Sequence, residues 1–186
     1  MPISGWDPIH PVMAVIQGID PRKAVLDVGI GTGQWGFLVR NYHDMRYGRF
    51  DKSQWKLQIL GLEGCSRYLN PAWHLYSHVQ VGEASAAIEE LALNQGYRAD
   101  KQFDVAIMIE VLEHFEKEKG RNVLRDLAKI SGNLIFSYAN MEQGAAHGNE
   151  YEIHRSTWTD EEIREIFPNA VQIYETDVGK FYHVKT

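Results

Sequence analysis

The sequence predicts an α/β fold in which a mostly parallel β-sheet is covered by helices on both faces. Short apolar runs alternate along the chain with segments of helical periodicity, which is the pattern of repeated βαβ units. The run 103–109 is apolar at nearly every position, as expected for a central strand that is buried on both faces. Two short apolar runs, 170–175 and 181–185, are close enough to form a hairpin at the end of the chain.

Periodicity and boundary residues place the individual elements. Strands are predicted at 24–28, 57–62, 79–81, 103–109, 133–138, 170–175 and 181–185, and helices at 34–42, 70–77, 85–94, 119–130 and after residue 159. Pro71 suits the first turn of its helix. Thr159 and Glu162 form a capping box before a helix that Pro168 ends. The polar segment 44–56 has no apolar period and is interpreted as a surface insertion.

Composition limits the classes of protein to consider. With 186 residues, 44% of them hydrophobic, residues 1–186 are expected to form a single domain with an adequate core. The net charge is −6 and Lys and Arg form no stripe, so a nucleic-acid partner is not expected. No apolar run is long enough to span a membrane, and the first seven residues lack the features of a secretory signal. The single cysteine, Cys65, fits a cytoplasmic protein without disulfides.

The most informative segment is the strand and turn 25–33, in which an acid and then three alternate glycines follow an apolar run. Gly29, Gly31 and Gly33 allow the backbone to approach a ligand closely because no Cβ atom stands in the way. Asp27 places a negative charge beside this turn, which attracts an ammonium or sulfonium group and repels a pyrophosphate. These residues favour S-adenosylmethionine over a dinucleotide as the cofactor.

A dinucleotide site is the alternative interpretation of the same turn. Gly31, Gly33 and Gly36 match the GxGxxG fingerprint of nicotinamide and flavin enzymes. That fingerprint expects a ribose-binding acid about 20 residues further on, whereas the next acid after a predicted strand is Glu63. Gly36 also has a structural explanation, as a small residue where a helix meets the sheet. The dinucleotide interpretation is therefore disfavoured.

Four acids lie at or near the carboxyl ends of the predicted strands, where open α/β sheets bind their ligands. They are Asp27, Glu63, Glu83 and Glu110. The two carboxylate oxygens of Glu63 can accept both hydroxyls of a ribose. Adenine has an N6 donor and an N1 acceptor, so the Glu83 carboxylate and the Ala84 backbone N–H form a suitable pair for it.

These motifs resemble those of class I S-adenosylmethionine-dependent methyltransferases. The matching residues are 25–33, Glu63, 82–84 and 103–114, and the resemblance extends from about Ala24 to the end of the chain. It implies a Rossmann-like, doubly wound, seven-stranded sheet of order 3-2-1-4-5-7-6. The last strand of that sheet is antiparallel, in agreement with the predicted C-terminal hairpin.

The resemblance also implies a role for each acid in cofactor binding. In that family the position of Asp27 serves the methionyl amino group, often through water, and the position of Glu63 binds the ribose. The position of Glu83 binds the adenine, and the backbone around Glu110 binds the methionyl group. One departure from the family pattern is Glu83, where Asp is more usual.

Candidate acceptor-binding residues follow the fourth and fifth predicted strands. His114 follows the fourth strand at the mouth of the expected crevice and is a candidate base or orienting group. The irregular segment 138–158 is long enough to cover the crevice, and its Tyr151 and His154 are further candidates. His147 and His154 lack supporting ligands, so no metal site is predicted.

The sequence leaves the chemistry of the acceptor open. Methyl transfer from a sulfonium is a direct displacement that depends on orientation, so no catalytic residue is assigned. The expected acceptor is a small molecule methylated on an O, N or C atom. The alternative is a non-catalytic adenosyl-binding protein with a regulatory or scaffold role, because cofactor binding and catalysis use different residues.

Overall fold

In the computed structural model, residues 5–96 and 100–186 are described, and seven strands within them form one sheet. The strands are β1 Ala24–Val28, β2 Gln58–Glu63, β3 His78–Val81, β4 Val105–Met108, β5 Asn133–Ala139, β6 Val171–Glu175 and β7 Gly179–Lys185. Their order is β3-β2-β1-β4-β5-β7-β6, and β7 is antiparallel to both of its neighbours. The other neighbouring strands pair in parallel. This confirms the predicted seven-stranded α/β fold, including its antiparallel C-terminal hairpin.

Helices cover both faces of the sheet. They are α1 Ile9–Ile19, α2 Gln34–His43, α3 Ala84–Gln95, α4 Lys117–Ile130 and α5 Asp160–Ile166. In β1, Leu26 and Val28 pack in the apolar core shared with α3, α4 and α5, whereas Val25 packs in the core shared with α1 and α2. The doubly wound arrangement is therefore confirmed. No helix in the described ranges combines the length and the apolar character needed to cross a bilayer.

Two features predicted at helix boundaries, a capping box and a first-turn proline, are present in the structure. The Thr159 side chain accepts the Glu162 N–H, and the Glu162 carboxylate accepts the Thr159 N–H, so the predicted capping box forms at α5. Pro71 lies in the first turn of its helix as predicted, but that helix is a 3-10 helix, Pro71–Leu75.

Helix α1 was not predicted from the sequence. Its buried side chains Val12, Met13 and Ile16 recur at helical spacing and pack in the core beside α2. Pro8 and Pro11 lie at its beginning, where the first N–H groups of a helix need no partner within the helix. The helical spacing of these apolar residues is therefore the sequence feature that indicates α1, and both prolines lie where a helix tolerates them.

The segment 44–56 is a surface insertion only in part. Its first residue, Asp44, is completely buried, and its carboxylate accepts hydrogen bonds from the side chains of Arg40 and Arg49 at 2.5 and 2.7 Å. The Lys56 backbone N–H also donates to Asp44, at 3.0 Å. Both ends of the segment are thus held by one buried carboxylate, and the exposed part lies between them.

Gly36 should be required for packing rather than for binding a phosphate. A Cβ atom at Gly36 would lie 2.1 Å from the ring of Tyr76, so Gly36→Ala is expected to lower the free energy of unfolding by about 1–3 kcal/mol. A Cβ atom at Gly18 in α1 would have no heavy atom within 4 Å, so Gly18→Ala should instead stabilise the protein by about 0.4–1 kcal/mol. Urea denaturation measures both, and equal stabilities for Gly36→Ala and the parent would contradict this assignment.

Candidate functional site

A cavity of about 360 Å³ opens at the edge of the sheet where the parallel strands end. Eight of the predicted site residues line it: Gly29, Gly31, Glu63, Glu83, Ala84, Glu110, His114 and Tyr151. Asp27, Gly33 and His154 are not among the lining residues. The strand ends thus bring most of the predicted site together, as the topology of the sheet requires.

The glycine turn has the backbone conformation that its sequence requires. Gly29, Gly31 and Gly33 all have positive φ angles, of 72°, 49° and 86°. A Cβ atom at Gly29 would lie 2.3 Å from the side chain of Val111, so a larger residue is excluded by space as well as by backbone conformation. Gly29, Ile30 and Gly31 all line the cavity.

Glu63 is fixed in place by the backbone around it. Its Oε2 atom accepts the Gly31 N–H at 2.8 Å, and its Oε1 atom accepts the Cys65 N–H at 2.9 Å. Burial raises the pKa of Glu63, and these two hydrogen bonds oppose that rise. Each carboxylate oxygen has a second lone pair for another donor. The residue therefore suits a pair of ribose hydroxyls without any change in its own position.

Asp27 is held inside the protein and does not reach the cavity. It is 1% exposed, and its Oδ2 atom accepts the Tyr76 hydroxyl at 2.5 Å. Its Oδ1 atom is buried with no hydrogen-bond partner among the described residues. Burial raises the pKa of Asp27 to about 7, against the effect of the Tyr76 hydrogen bond. Its side chain therefore lies behind the cavity wall, whereas the resemblance implies a role for this position at the methionyl amino group, often through water.

Glu83 interacts with protein groups at the rim of the cavity. Its carboxylate accepts hydrogen bonds from Lys119 and from the Ser85 hydroxyl. The Lys119 hydrogen bond is the main reason that the pKa of Glu83 is lowered. The Glu83 side chain is 50% exposed, and Ala84 begins α3 directly beside it. An adenine ring at this position would share the carboxylate with Lys119, which was not predicted from the sequence.

Glu110 has a strained backbone where it lines the cavity. Its φ angle is 55°, a region that costs a non-glycine residue about 1–2 kcal/mol. Its N–H donates to the Ser137 hydroxyl at 2.8 Å, which helps to hold this conformation. Strain of this kind is concentrated at binding and catalytic sites.

The segment between β5 and α5 forms one wall of the cavity. The ring of Tyr151 packs so closely on Gly64 that a Cβ atom there would lie 2.9 Å from it, which places Tyr151 beside Glu63. Glu152 is buried in the same wall and accepts the Tyr68 hydroxyl at 2.8 Å. Asn149 donates to that hydroxyl at 2.8 Å. Glu152 was not assigned a role from the sequence because only the tertiary fold brings it to Tyr68.

A second group of side chains lies where this wall meets the turn after β4. Glu113, His114 and His154 each place one potential ligand atom within 4.8 Å of the others. Burial raises the pKa of Glu113 to about 8, and burial also lowers the pKa of His114. The sequence analysis considered His147 and His154 as a possible metal-binding pair, and only His154 belongs to this group. The side chain of His147 lies outside the described part of the structure.

The cavity also contains cations that the sequence did not predict. Lys119 of α4 and Arg155 line it together with five acids: Glu63, Glu83, Glu110, Glu116 and Glu152. The Arg155 guanidinium donates to backbone carbonyls of His114 and Glu150, at 3.1 and 2.8 Å. Its contacts therefore link the cavity wall to the turn after β4.

No protein-family model and no curated protein matches the sequence. Solved structures match over nearly the whole chain. The methyltransferase domain of bacterial CtHen1 is 20% identical, with a TM-score of 0.57 over 98% of this chain and 100% of that one. Magnesium protoporphyrin IX methyltransferase from Synechocystis PCC 6803, solved with SAH (S-adenosylhomocysteine) bound, is 15% identical, with a TM-score of 0.59 over 95% and 80%.

A third match has the same architecture. The N-terminal domain of EvdMO1 with SAH bound is 14% identical and has a TM-score of 0.66 over 98% of this chain and 82% of that one. With the observed strand order, these matches show that the chain has the class I methyltransferase fold. The fold that the motif resemblance implied is therefore confirmed.

The buried Asp27 should make stability depend on pH. Its pKa is raised from 3.8 to about 7, so between these values the folded chain keeps a proton that the unfolded chain has released. The free energy of unfolding should therefore fall as the pH rises through this window. Asp27→Asn keeps an acceptor for Tyr76 without the charge, and its stability relative to the parent should rise by up to about 4 kcal/mol between about pH 4 and about pH 8.

Chemical denaturation of the ligand-free protein across this pH range measures the effect. Asp177→Asn is the matched control, because Asp177 is an exposed acid in the β6–β7 hairpin. Its curve should run parallel to that of the parent. Parallel curves for Asp27→Asn as well would show that Asp27 titrates normally.

Proposed function

We propose that this chain is an S-adenosylmethionine-dependent methyltransferase. The observation that carries the proposal is the Glu63 carboxylate, which is held by the Gly31 and Cys65 N–H groups at the edge of a cavity in a methyltransferase fold. Its remaining lone pairs are available to two neighbouring hydroxyls, as in the ribose of an adenosyl group. The Gly29–Gly31 backbone lines the same cavity, where the rest of the cofactor would bind.

The charge of the cavity supports this cofactor over a dinucleotide. Five acids and two cations line the cavity, and Lys119 is paired with one of the acids. A pyrophosphate would add negative charge to this surface, whereas a sulfonium and an ammonium group add positive charge. SAH is bound in two of the solved structures with this fold, which supports an adenosyl ligand here.

The proposed acceptor is a small molecule that enters beside His114, Glu152 and Arg155. Their side chains combine hydrogen-bonding groups with charge in the lining of the cavity. Two structural neighbours support a small acceptor: one is named for magnesium protoporphyrin IX, and EvdMO1 was also solved in the presence of SAH and D-fucose. Methylation on an O, N or C atom is compatible with the proposal. Displacement depends mainly on the orientation of donor and acceptor, and a base is needed only where the acceptor atom must lose a proton.

Calorimetric titration with S-adenosylmethionine, SAH and NAD tests the cofactor. We expect micromolar or tighter binding of the first two and none of NAD. Glu63→Gln removes the charge and places an amide against one of the two N–H donors, so it should weaken adenosyl binding by about 1.5–3 kcal/mol. Glu63→Ala is less informative, because it would leave the buried Gly31 and Cys65 N–H groups without an acceptor.

Glu90→Gln is the matched control for this titration, since Glu90 is an exposed acid on α3 outside the cavity. It should bind the cofactor like the parent. Binding of NAD without any signal for S-adenosylmethionine would reject the proposed cofactor. Parent-like affinity in Glu63→Gln would reject the role of Glu63 at the ribose.

A non-catalytic adenosyl-binding protein is the second candidate, and methyl transfer separates it from an enzyme. Purified protein with methyl-labelled S-adenosylmethionine should transfer label to at least one member of a panel of sugar, porphyrin, phenol and amine acceptors. Tyr151→Ala should lower both cofactor affinity and transfer, because Tyr151 packs beside Glu63. Tight cofactor binding with no transfer to any acceptor would favour the non-catalytic candidate.

A further inference from the structure

We propose that Glu113, His114 and His154 form a binding site for one divalent transition-metal ion. One potential ligand atom from each side chain lies within 4.8 Å of the other two. The rings of His114 and His154 meet edge to face, with centroids 4.9 Å apart. Metal–ligand bonds of about 2.0–2.2 Å place ligands roughly 3–3.5 Å apart, so the three side chains need only a small contraction to bind an ion.

Hydrogen bonds set both histidines in the form that binds a metal. The Nδ1 atom of His114 lies 3.2 Å from the Ile153 carbonyl oxygen, and the Nδ1 atom of His154 lies 2.7 Å from the Met141 carbonyl oxygen. A carbonyl oxygen only accepts, so each Nδ1 atom carries the proton and each Nε2 atom has a free lone pair. Metal-binding histidines are commonly oriented by this type of backbone contact.

Glu113 supplies an observation that points to a ligand. It is 1% exposed, and its Oε2 atom is buried with no hydrogen-bond partner among the described residues. A buried polar atom without a partner costs free energy, so such atoms are usually satisfied by a protein group, water or an ion. A cation held between Glu113 and the two imidazoles would give the buried carboxylate a partner of opposite charge.

The backbone connects the two segments that carry the three side chains. The Arg155 and Ser156 N–H groups donate to the Glu113 carbonyl oxygen at 2.8 and 3.1 Å. The His154 N–H donates to the Gln143 carbonyl oxygen at 3.0 Å. The turn after β4 and the wall segment are thus held together without help from an ion, so the site is largely preformed.

The donor set indicates which ions fit. Two imidazole nitrogens and one carboxylate oxygen favour ions such as Zn²⁺, Co²⁺, Mn²⁺ or Fe²⁺ over Mg²⁺ and Ca²⁺, which prefer oxygen ligands. Three protein ligands leave coordination positions open. His114 lines the cavity, so the proposed site lies beside the space assigned to the acceptor. In this respect the inference rests on the proposed function, since an acceptor with an oxygen ligand would complete the coordination of the ion.

Metal binding is measured without any cofactor, so that its outcome is independent of the methyltransferase assignment. Chelator-treated protein comprising residues 1–186 is titrated with Zn²⁺ by calorimetry and with Co²⁺ by visible absorption. We expect one tight equivalent of either ion, with a Co²⁺ spectrum that reports nitrogen ligation. His154→Gln should weaken binding by about 100-fold or more, since changes even outside the ligand set commonly cost 10–100-fold.

Two further variants complete the test. His74→Gln removes an exposed histidine on the 3-10 helix Pro71–Leu75, and it should bind the ions like the parent. Glu113→Gln should weaken binding while circular dichroism shows an intact fold. Failure of the parent to bind one equivalent, or parent-like binding by His154→Gln, would overturn the proposal. Equal losses in His74→Gln and His154→Gln would also overturn it, because they would indicate surface histidines only.

S-adenosylmethionine titration of the same samples separates the two proposals. His154→Gln should keep the parent affinity for the cofactor, because His154 does not line the cavity. A parent that binds metal but not S-adenosylmethionine would reject the proposed function and leave the metal site standing. The opposite result would reject the metal site alone.

Discussion

The hydrogen bond from Tyr76 to Asp27 connects the elements on which the cavity depends. The Tyr76 hydroxyl donates to Asp27 at 2.5 Å and accepts the Gly36 N–H at 3.1 Å. The ring also fills the space that a Cβ atom would need at Gly36 and at Gly61. One side chain therefore fixes β1, β2 and the first turn of α2 relative to one another, and the glycine turn between β1 and α2 is positioned by that contact.

This contact changes the physical role of the acid in the glycine motif. A carboxylate that lined the cavity would be solvated and charged at neutral pH, but burial raises the pKa of Asp27 to about 7. Asp27 consequently contributes less fixed negative charge to the site than its position in the motif suggests. The acids that line the cavity itself are Glu63, Glu83, Glu110, Glu116 and Glu152.

Sequence patterns predicted an α/β fold with a mostly parallel sheet, the family resemblance implied its strand order, and eight of the predicted site residues line the cavity. Apolar strands separated by amphipathic helices determine a parallel sheet, and the ends of parallel strands meet at one edge, so Glu63, Glu83 and Glu110 were brought together as expected.

The partners of the site residues were not predictable by the same means. Tyr76 reaches Asp27 across 49 residues of sequence. Lys119 takes the Glu83 carboxylate only because α4 packs beside α3. Periodicity predicts which face of an element is buried, but it does not predict which polar groups will meet. The sequence therefore predicted where the site residues lie better than it predicted their hydrogen-bond and ion-pair partners.

The three potential metal ligands are a further case in which the sequence does not predict which polar groups meet. Glu113 and His114 are adjacent in sequence, but Glu113 is almost fully buried whereas His114 reaches the cavity. The two can face one point only because the turn after β4 is a 3-10 helix, Leu112–His114, and because His154 is held against it by the backbone of residues 155 and 156. The spacing of the histidines along the chain does not predict this geometry. A ligand set divided between a strand end and a loop is found only once the loop has a defined path across the sheet edge.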